Sequence, residues 1–560
     1  MSLRVLSAAL AFGIGLVGLG VGSTAAVAAD PAVPVQVAIA VPITVPESAG
    51  GLISADALTQ YTSPLGTLTR QLDAVEGRPV VLGIDPRIIV SIRILGTAAP
   101  ASATSWLARL EAAPNESFPL TYADSDITLA TQAGSTSVIQ PTGFDFAIDP
   151  ALFTAPIGTA TPTATVTPTA VPTTTATPAT PVVPPLPSSD DLQSWTYSVT
   201  GIAWPLESTV TAADLPVISS SGFSTVILSS ENLDRTPGSG ATADLAGIRT
   251  VVSDATASSS FRSAVQSFTT TDWQANVAAM STAIAAAGQG QSASAATVVM
   301  TLDRIALGGG TRLAETIAAV QGNPQVRVVG FADLLGVDTV PASVIDLPHA
   351  PDQLALMRQL LDARAAEDQF AAIAEDPLAI TSARRLELLA LQSSGWRSNA
   401  AGWPVVVSQD LTASTELRSA VQVASTGDFN FLAAAAPLPI AVANNLDQPV
   451  TVYVTVRPDT GLLTVAESRV ELEIAPNSQA SAMIPAQAVS NGVVSVTVSL
   501  SSETGVPIGE ASRARINVQA GWETPVVVII ASLVVAVFGG GLVRNILRLR
   551  KAAAAKGPGA

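Results

Sequence analysis

Short, continuous runs of apolar residues alternate with amphipathic segments over most of the chain. Such runs are typical of parallel strands that are buried on both faces. Eight runs are predicted as strands: 33–45, 80–85, 118–124, 199–205, 224–229, 250–252, 297–302 and 326–331. The segments between them predict helices over 52–75, with a break at Pro64, and over 101–112, 277–287 and 312–321.

Strands that alternate with helices imply βα units and a parallel sheet. Eight such strands fit an irregular (β/α) barrel, and we predict this domain over residues 30–434. A Rossmann-like open sheet is the alternative, although no GxGxxG motif follows a strand. Two leucine-striped segments, 352–364 and 378–391, predict helices that brace the barrel within 350–396.

The period of the apolar positions changes to two after residue 434. Apolar and polar residues alternate within 440–444, 450–457, 463–474, 480–485, 493–500 and 514–518. Turn sequences such as Asn491-Gly492 separate these segments. Short alternating strands with this spacing predict an immunoglobulin-like β-sandwich over 435–520.

The two ends of the chain have the patterns of membrane-directed segments. Residues 1–29 resemble a secretory signal with Arg4, an apolar stretch and small residues at 27–29, or alternatively an uncleaved anchor helix. Residues 525–543 carry no charge and are long enough for a transmembrane helix, with a buried core strand as the alternative.

Basic residues follow this apolar segment directly; they are Arg544, Arg548, Arg550 and Lys551. By the positive-inside rule, the tail 544–560 lies in the cytoplasm. The sequence therefore predicts a single-pass type I protein of the cell membrane, with its N-terminal bulk outside the cytoplasm. A Thr/Pro-rich tract at 155–189 has no charge and no aromatic residue, which predicts a disordered insert in the barrel.

Composition excludes several classes of function. The chain has no cysteine, which excludes disulfides, Cys-ligated metal sites and thiolate nucleophiles. From Asp30 to Glu523 it has 44 acidic residues, 21 arginines and no lysine, a net charge of −23. Because so acidic a surface repels phosphate backbones, we expect no nucleic-acid partner.

His349 is the single histidine of the chain. A His-His-Asp metal site of the kind that polysaccharide deacetylases use therefore cannot form, and no metal or cofactor is expected. A triad of His349 with Ser and Asp lacks a GxSxG motif, so a surface or capping role is favoured. The Gly308-Gly309-Gly310 sequence predicts a flexible loop, and without GK[ST] it is not a phosphate site.

Four carboxylates follow predicted strands and are weak candidates for catalysis: Asp85, Asp124, Asp126 and Glu207. Active sites of α/β barrels lie at the carboxyl ends of the strands. Two carboxylates there could cleave a glycoside as acid and nucleophile. The favoured interpretation is that the aspartates cap helices, since Asp85-Pro86 has the form of an N-cap followed by an N1 proline.

Several segments in this order resemble the DUF6049 family of uncharacterised actinobacterial membrane-anchored envelope proteins. The segments are VLGIDPRII, WLARLEAAPNESFPLTYADSDITLATQAG, GIAWPLE, VVGFADLL and NNLDQPVTVYVTVRP, followed by the apolar segment with its basic end. The resemblance implies a degenerate barrel of glycoside hydrolase/deacetylase type joined to an immunoglobulin-like domain. Family genes lie beside a gene for a lipid II flippase, which implies a role in cell-wall assembly. It implies no catalytic residues.

Three hypotheses for function follow. The first is a non-catalytic envelope protein that binds a cell-wall glycan or a membrane-embedded wall-synthesis protein. The second is a carboxylate-dependent glycosidase, which requires Asp85, Asp124 and Glu207 to converge on one cleft. The third is a stalked adhesin or spacer, which a Thr/Pro-rich tract would suit. Because the tract interrupts the predicted barrel, a long surface loop is favoured over a stalk.

Overall fold

The computed structural model of the chain describes residues 34–153, 186–291, 296–302, 304, 311–424, 429–519 and 523–554. The predicted signal at 1–29, most of the Thr/Pro-rich tract, the Gly308–Gly310 loop and the last six residues of the predicted tail lie outside these described residues.

The first part of the chain is a mixed α/β domain. Its strands are β1 (Val35–Ile43), β2 (Val81–Ile84), β3 (Ser117–Pro119), β4 (Ile202–Ala203), β5 (Thr225–Ser229), β6 (Leu233–Asp234), β7 (Thr242–Leu245), β8 (Ile248–Ser253), β9 (Thr297–Thr301), β10 (Val326–Val328), β11 (Val340–Pro341) and β12 (Ser343–Val344). Its helices are α1 (Ala55–Tyr61), α2 (Thr67–Val75), α3 (Pro86–Ile94), α4 (Ala101–Ala112), α5 (Ile127–Ala133), α6 (Ser189–Gln193), α7 (Asp214–Ser220), α8 (Ala255–Gln266), α9 (Thr270–Gly288), α10 (Thr311–Gln321) and α11 (Phe331–Leu335).

The central sheet is mostly parallel and has the order β3-β2-β1-β9-β8-β5-β4. β10 pairs parallel with the first residues of β1, on the same side of β1 as β2. β7 pairs antiparallel with β8. The outer strands approach each other, because Val199 N, just before β4, donates to Ser117 O over 3.0 Å. The sheet therefore curves until its two edges are hydrogen-bonded.

β1 shows why the strand sequences are continuously apolar. Val37, Ile39 and Val41 pack against helices α2, α8, α9 and α10 on one face of the sheet. Ala38 and Ala40 pack on the other face against side chains of β2, β5, β8 and β9. Because both faces are buried, neither tolerates polar side chains, and the small alanines leave room for the neighbouring strands.

All eight predicted strands are present, but two predictions are too long. The one over 326–331 is wrong beyond Val328, since α11 begins at Phe331, and the one over 118–124 is wrong beyond Pro119. Ala123 and Asp124 have positive φ angles of 60° and 49°. This left-handed conformation cannot continue a strand, and it turns the chain sharply into α5.

Three helices form a layer that follows the α/β domain: α12 (Pro351–Ala371), α13 (Pro377–Leu391) and α14 (Trp403–Arg418). Met357 and Leu360 of α12 pack with Leu129 of α5, and Leu389 of α13 packs with Val90 of α3. The layer thus covers α3 and α5, the helices that follow β2 and β3. The sequence predicts only the first two of these helices.

A buried cluster of charges holds this helical layer together. Arg364 of α12 pairs with Glu367 at 2.6 Å and with Asp410 of α14. Arg384 of α13 pairs with Asp410 at 3.0 Å, with Glu367 at 3.2 Å and with Glu387. Each carboxylate has a cationic partner on another turn or another helix, which offsets part of the cost of burial.

Two further sheets pack face to face. Their strands are β13 (Val421–Val423), β14 (Phe429–Phe431), β15 (Ala435–Asn444), β16 (Val450–Pro458), β17 (Leu463–Val465), β18 (Arg469–Ile474), β19 (Ser478–Ala488), β20 (Gly492–Ser501) and β21 (Pro507–Val518). One sheet has the order β13-β15-β19-β17 and the other β14-β21-β20-β16-β18. Inward side chains of both sheets form one apolar core.

The single strand predicted over 463–474 is wrong: it is two strands, β17 and β18, which belong to different sheets. Because the chain passes from one sheet to the other between β17 and β18, the inward side chains of these strands face the same core from opposite sides.

The last element is α15 (Glu523–Ala554), which is longer than the predicted transmembrane segment. Residues Val526–Lys551 are apolar enough and long enough to cross a membrane, and none of their most apolar stretch is buried against the rest of the described chain. The helix continues through Arg544, Arg548 and Arg550, so the basic residues that follow the predicted apolar segment are helical as well.

Candidate functional site

A cleft of about 390 Å³ opens between the carboxyl ends of β3 and β4 and the helical layer. Its volume lies within the range of small-molecule sites. The first wall comes from the loop after β4, the second from α5 and residues 348–350, and the third from α12 and the segment 391–403. Two of the four predicted carboxylates, Asp126 and Glu207, line this cleft, whereas Asp85 and Asp124 do not.

Asp126 is buried and caps the N-terminus of α5, since its Oδ1 accepts from Thr128 N at 3.0 Å. Its Oδ2 lies 3.1 Å from His349 Nε2. Burial raises the pKa of Asp126, but the hydrogen bond and charge of His349 and the bonds from Thr128 outweigh it, so the pKa is lowered overall. Asp126 is therefore a stable anion in the wall of the cleft.

His349 is buried, so the predicted surface or capping role is wrong. Its Nε2 lies 2.9 Å from Thr128 Oγ1 in addition to its contact with Asp126. Burial lowers the pKa of His349, yet Asp126, Asp214 and Gln353 raise it above the usual value overall. The hydroxyl of Thr128 cannot act as a nucleophile activated by this imidazole, because it donates to Asp126 Oδ1 at 2.8 Å.

Glu207 follows the short strand β4 and is partly exposed in the cleft. Its carboxylate pairs with Arg262 of α8 at 2.9 Å. Ser208, the next residue, has a positive φ of 58°. Strained backbone of this kind costs about 1–3 kcal/mol and tends to occur at functional sites. With this backbone conformation at Ser208, three consecutive residues line the cleft: Glu207, Ser208 and Thr209.

Asp85 is the helix cap that the sequence favours. Its Oδ1 accepts from Arg87 N at 2.9 Å, at the start of α3, and from Ala123 N at 2.8 Å. Burial raises the pKa of Asp85 to about 6, against the lowering effect of Arg87 and of these hydrogen bonds. Asp85 therefore holds the strained turn after β3 against the end of β2.

Asp124 lies in that strained turn and is also buried. Its Oδ1 accepts from Arg304 Nε at 3.3 Å, and its Oδ2 has no hydrogen-bond partner among the residues that the structure describes. Burial raises the pKa of Asp124 to about 7, with Arg304 opposing the shift and the charge of Asp85 adding to it. Arg304 also stacks on Trp204, with its guanidinium carbon 4.2 Å from the ring centroid.

The helical layer contributes residues that the sequence does not predict as functional. Trp396 and Trp403 line the cleft, and their indole N–H groups donate to backbone oxygens of Ala390 and Leu391 at 3.0 and 2.8 Å. Gln353 and Gln392 add amide groups to the same wall. The signal available in the sequence was two tryptophans within eight residues, in a segment rich in Ser, Gly and Asn.

Among the described residues, no group of three or more His, Asp or Glu side chains is placed to hold a metal ion. The cleft instead offers apolar rings, neutral amides and hydroxyls, the guanidinium of Arg397, and two carboxylates with cationic partners. This set is suited to hydrogen bonding with a polyhydroxylated ligand.

A family model described as "Family of unknown function (DUF6049)" matches residues 20–556. No curated protein matches the chain in sequence.

Solved structures give partial matches at low identity. The α-amylase AmyC from Thermotoga maritima has a TM-score of 0.41 and 10% identity, over 69% of this chain and 93% of that one. Native alpha-2-macroglobulin from Escherichia coli has a TM-score of 0.15 and 20% identity over 18% of this chain, which spans only 7% of the macroglobulin. WR4, a Caenorhabditis elegans MSP family member, has a TM-score of 0.13 and 8% identity, over 16% of this chain and 92% of that one.

Proposed function

The chain belongs to the DUF6049 family, and on that premise we propose that it is a membrane-anchored envelope protein that binds a cell-wall glycan without cleaving it. The observation that carries the proposal is the cleft. Its two carboxylates, Asp126 and Glu207, each have a cationic partner, and its other polar groups are the guanidinium of Arg397 and a set of amides and hydroxyls beside indole rings.

A glycan matches this lining in chemical terms. A sugar ring has apolar C–H faces, which pack against indole rings and leucine side chains, and a rim of hydroxyl groups. Gln353, Ser208 and Thr209 supply neutral donors and acceptors for those hydroxyls. A few placed polar groups among apolar ones are typical of sites that orient a small ligand.

The ionisation of the cleft supports binding rather than hydrolysis. A glycosidase needs one carboxyl group that is protonated at working pH and a second that is free to attack. Asp126 has a lowered pKa because of His349, so it is not a proton donor. Asp124 has the raised pKa that a proton donor needs, but it is buried and does not line the cleft.

The membrane anchor is a second part of the proposal. The apolar span of α15 with its basic end supports a single-pass arrangement in the cell membrane, with the cleft outside the cytoplasm and the basic end inside. The Sec-type signal predicted at 1–29 would deliver the chain to that side. We also propose that the protein is of actinobacterial origin. In the same proposal, the β-sandwich is immunoglobulin-like and the α/β domain is a barrel of glycoside hydrolase/deacetylase type.

Filling the cleft tests the binding function. Ala400 and the neighbouring Ala401 are both exposed, but only Ala400 lines the cleft. Binding of muramidase-digested peptidoglycan fragments to the full chain in detergent would be measured by isothermal titration calorimetry. Ala400→Phe is expected to weaken binding at least about tenfold, a loss of about 1.4 kcal/mol, and Ala401→Phe to leave it unchanged.

A second pair of variants probes the polar wall. Gln353→Ala removes an amide that faces the cleft, and Gln359→Ala removes an exposed amide from the same helix. Weaker binding only in Gln353→Ala supports the proposal. The cleft would be excluded as the glycan site if Ala400→Phe bound the fragments as tightly as Ala401→Phe, and Gln353→Ala as tightly as Gln359→Ala.

The glycosidase hypothesis requires Asp85, Asp124 and Glu207 to converge on one cleft, and Asp85 and Asp124 do not line it, so that form of the hypothesis is wrong. A version that uses Asp126 and Glu207, which both line the cleft, is the alternative. It predicts release of reducing ends from the same fragments, abolished by Glu207→Gln. We expect no release by the unmodified chain, in an assay with a muramidase as positive control.

A further inference from the structure

The β-sandwich is connected to α15 by a very short segment. β21 ends at Val518 and α15 begins at Glu523. Five residue steps span at most about 18 Å even when fully extended. The end of the sandwich where β21 terminates must therefore lie within that distance of the start of the apolar helix.

Exposed apolar side chains are concentrated at this end. The described part of the sandwich has four large apolar side chains that are exposed, namely Leu432, Met483, Val489 and Val493. Three of them lie where β21 ends: Leu432 is 66%, Val489 54% and Val493 64% exposed.

Backbone pairings fix this location. Gly492, next to Val493, pairs with Val518. Gln519 N donates to Phe431 O at 2.8 Å, which places Leu432 beside the same exit. Val489 N donates to Leu462 O at 2.8 Å, in the adjacent turn. Isolated exposed apolar residues are normal, but a group at one end of a domain marks an interaction surface.

The outer face of the sheet at this end is basic. Arg513 and Arg457 flank Thr497 in one row of the sheet, and Arg515 lies opposite Ser495, nearer the exit. None of the three arginines forms an ion pair with a residue that the structure describes. Asp459, which accepts from Ser495 N at 3.1 Å, is an acid near this end, and Glu523 at the start of α15 is another.

These arginines contrast with the rest of the chain and of the sheet. The region from Asp30 to Glu523 has a net charge of −23. At the opposite end of the same sheet, Glu471 and Glu473 lie beside Tyr453 and Thr451 of β16. Positive charge next to exposed apolar side chains is the combination that binds an anionic lipid surface.

We infer that this exit corner, formed by Leu432, Val489, Val493, Arg457, Arg513 and Arg515, docks on the anionic lipid headgroups around α15. The inference rests on the membrane anchor proposed above and is independent of glycan binding. The valines and the leucine enter the headgroup region, while the arginines reach lipid phosphates along the sheet face. Docking fixes the tilt of the sandwich relative to the membrane.

Fluorescence quenching by lipid tests the docking. The chain has no cysteine, so Val489→Cys can be labelled at one position with a fluorophore in the full chain. Thr504→Cys is the matched position, in the turn at the opposite end of the sandwich. The strand between these ends, from Val493 to Ser501, is about 27 Å long.

The full chain would be placed in nanodiscs of phosphatidylcholine, with or without phosphatidylglycerol, that carry a headgroup-linked nitroxide quencher. We expect strong quenching at position 489 and none at position 504. Arg513→Gln/Arg515→Gln should reduce quenching at 489 only in discs with phosphatidylglycerol, since each arginine changes the docking equilibrium about fivefold. The matched control, Arg327→Gln/Arg358→Gln, removes two exposed arginines of the other domains and should have no effect.

Each other outcome overturns the inference in a distinct way. Failure of the chain to enter the discs would overturn the anchor and the docking together. Stable insertion with equal, weak quenching at 489 and 504 would overturn docking alone. Protection of position 489 from aqueous iodide without lipid quenching would mean that another protein or a second copy covers the corner instead.

Discussion

Asp124 is subject to two opposing influences at the scale of a single residue. Arg304 stabilises its anion, while burial and the charge of Asp85 favour the protonated form and set its pKa at about 7. A carboxyl group whose pKa is higher in the folded than in the unfolded chain binds protons more tightly when folded. Its contribution to stability is therefore greatest below about pH 4 and declines as the pH rises towards 7.

Asp124→Asn should flatten this dependence. Each carboxyl group with a raised pKa makes the free energy of unfolding fall by up to about 1.4 kcal/mol per pH unit in that range. The wild-type chain is expected to lose thermal stability from pH 5 to pH 8, and the variant to lose less. Thermal unfolding of the full chain in detergent at several pH values measures the difference.

Asp56→Asn, which replaces an exposed carboxyl group on α1, is the control and should retain the wild-type slope. His349, whose pKa is raised, adds stability that is lost as the pH rises through its folded pKa, so it acts in the same direction. Asp126, whose pKa is lowered, loses its contribution only in acid. Identical slopes for Asp124→Asn and wild type would show that Asp124 is ionised throughout.

The roles of single residues were predictable where they depend on neighbours in sequence. Asp85 before Pro86 has the local form of an N-cap, and it is one. The partners of Glu207 and Asp124 were not predictable, because Arg262 and Arg304 lie on other βα units. The burial of His349 likewise depends on Asp126, more than two hundred positions earlier in the chain.

At the scale of elements, the charge cluster of the helical layer shows how burial changes the contribution of an ion pair to stability. Glu367 has a side chain that is 1% exposed and pairs with Arg364 three residues earlier. Glu315 makes the same i,i+3 pair with Arg312, but its side chain is 49% exposed. The two pairs differ in burial and in the number of partners, since Arg384 also contacts Glu367.

Glu367→Ala should therefore destabilise the chain by about 3–5 kcal/mol, because it leaves two arginines short of a buried counter-charge. Glu315→Ala should cost no more than about 1 kcal/mol, since water screens the exposed pair. Denaturant unfolding of both variants gives the comparison. Similar small losses would mean that the arginines of the cluster find water or other carboxylates.

The strands of the central sheet were predictable because burial on both faces leaves a continuous apolar run, as in β1 and β5. α14 was missed because Val405, Val406 and Val407 are consecutive, which is not a helical pattern. The strand β7 was missed because its pairing with β8 depends on a tight turn at Ala246-Gly247, both with positive φ. Tertiary contacts decide these elements more than local preference does.

At the scale of the whole molecule, the helical layer joins the α/β domain to the β-sandwich. Phe370, in the last turn of α12, and Ile373, just after the helix, belong to the apolar core of the sandwich. The backbone continues the contact, since Thr451 N of β16 donates to Ile373 O at 2.8 Å and Glu375 N donates to Pro449 O at 3.0 Å. The two domains therefore share packing and are not independent.

Phe370→Ala should transmit a defect across this junction. Loss of a buried phenylalanine costs about 3–5 kcal/mol. Hydrogen exchange followed by mass spectrometry is expected to speed up in α12 and also in β15 and β16. Phe261→Ala, within the α/β core, should speed exchange in α8 and β9 and leave the sandwich unchanged. If Phe370→Ala accelerated hydrogen exchange in α12 but not in β15 and β16, the two domains would fold separately.

The junction with the helical layer and the exit to α15 lie at opposite ends of β16 and its neighbours. The nine residues of β16 span about 27 Å. With the anchor proposed above, the length of the sandwich sets the distance between the cleft and the membrane surface. With the glycan binding proposed above, ligands would reach the cleft from the polymer layer at that height, whereas a headgroup that stays in the bilayer surface would lie out of its reach.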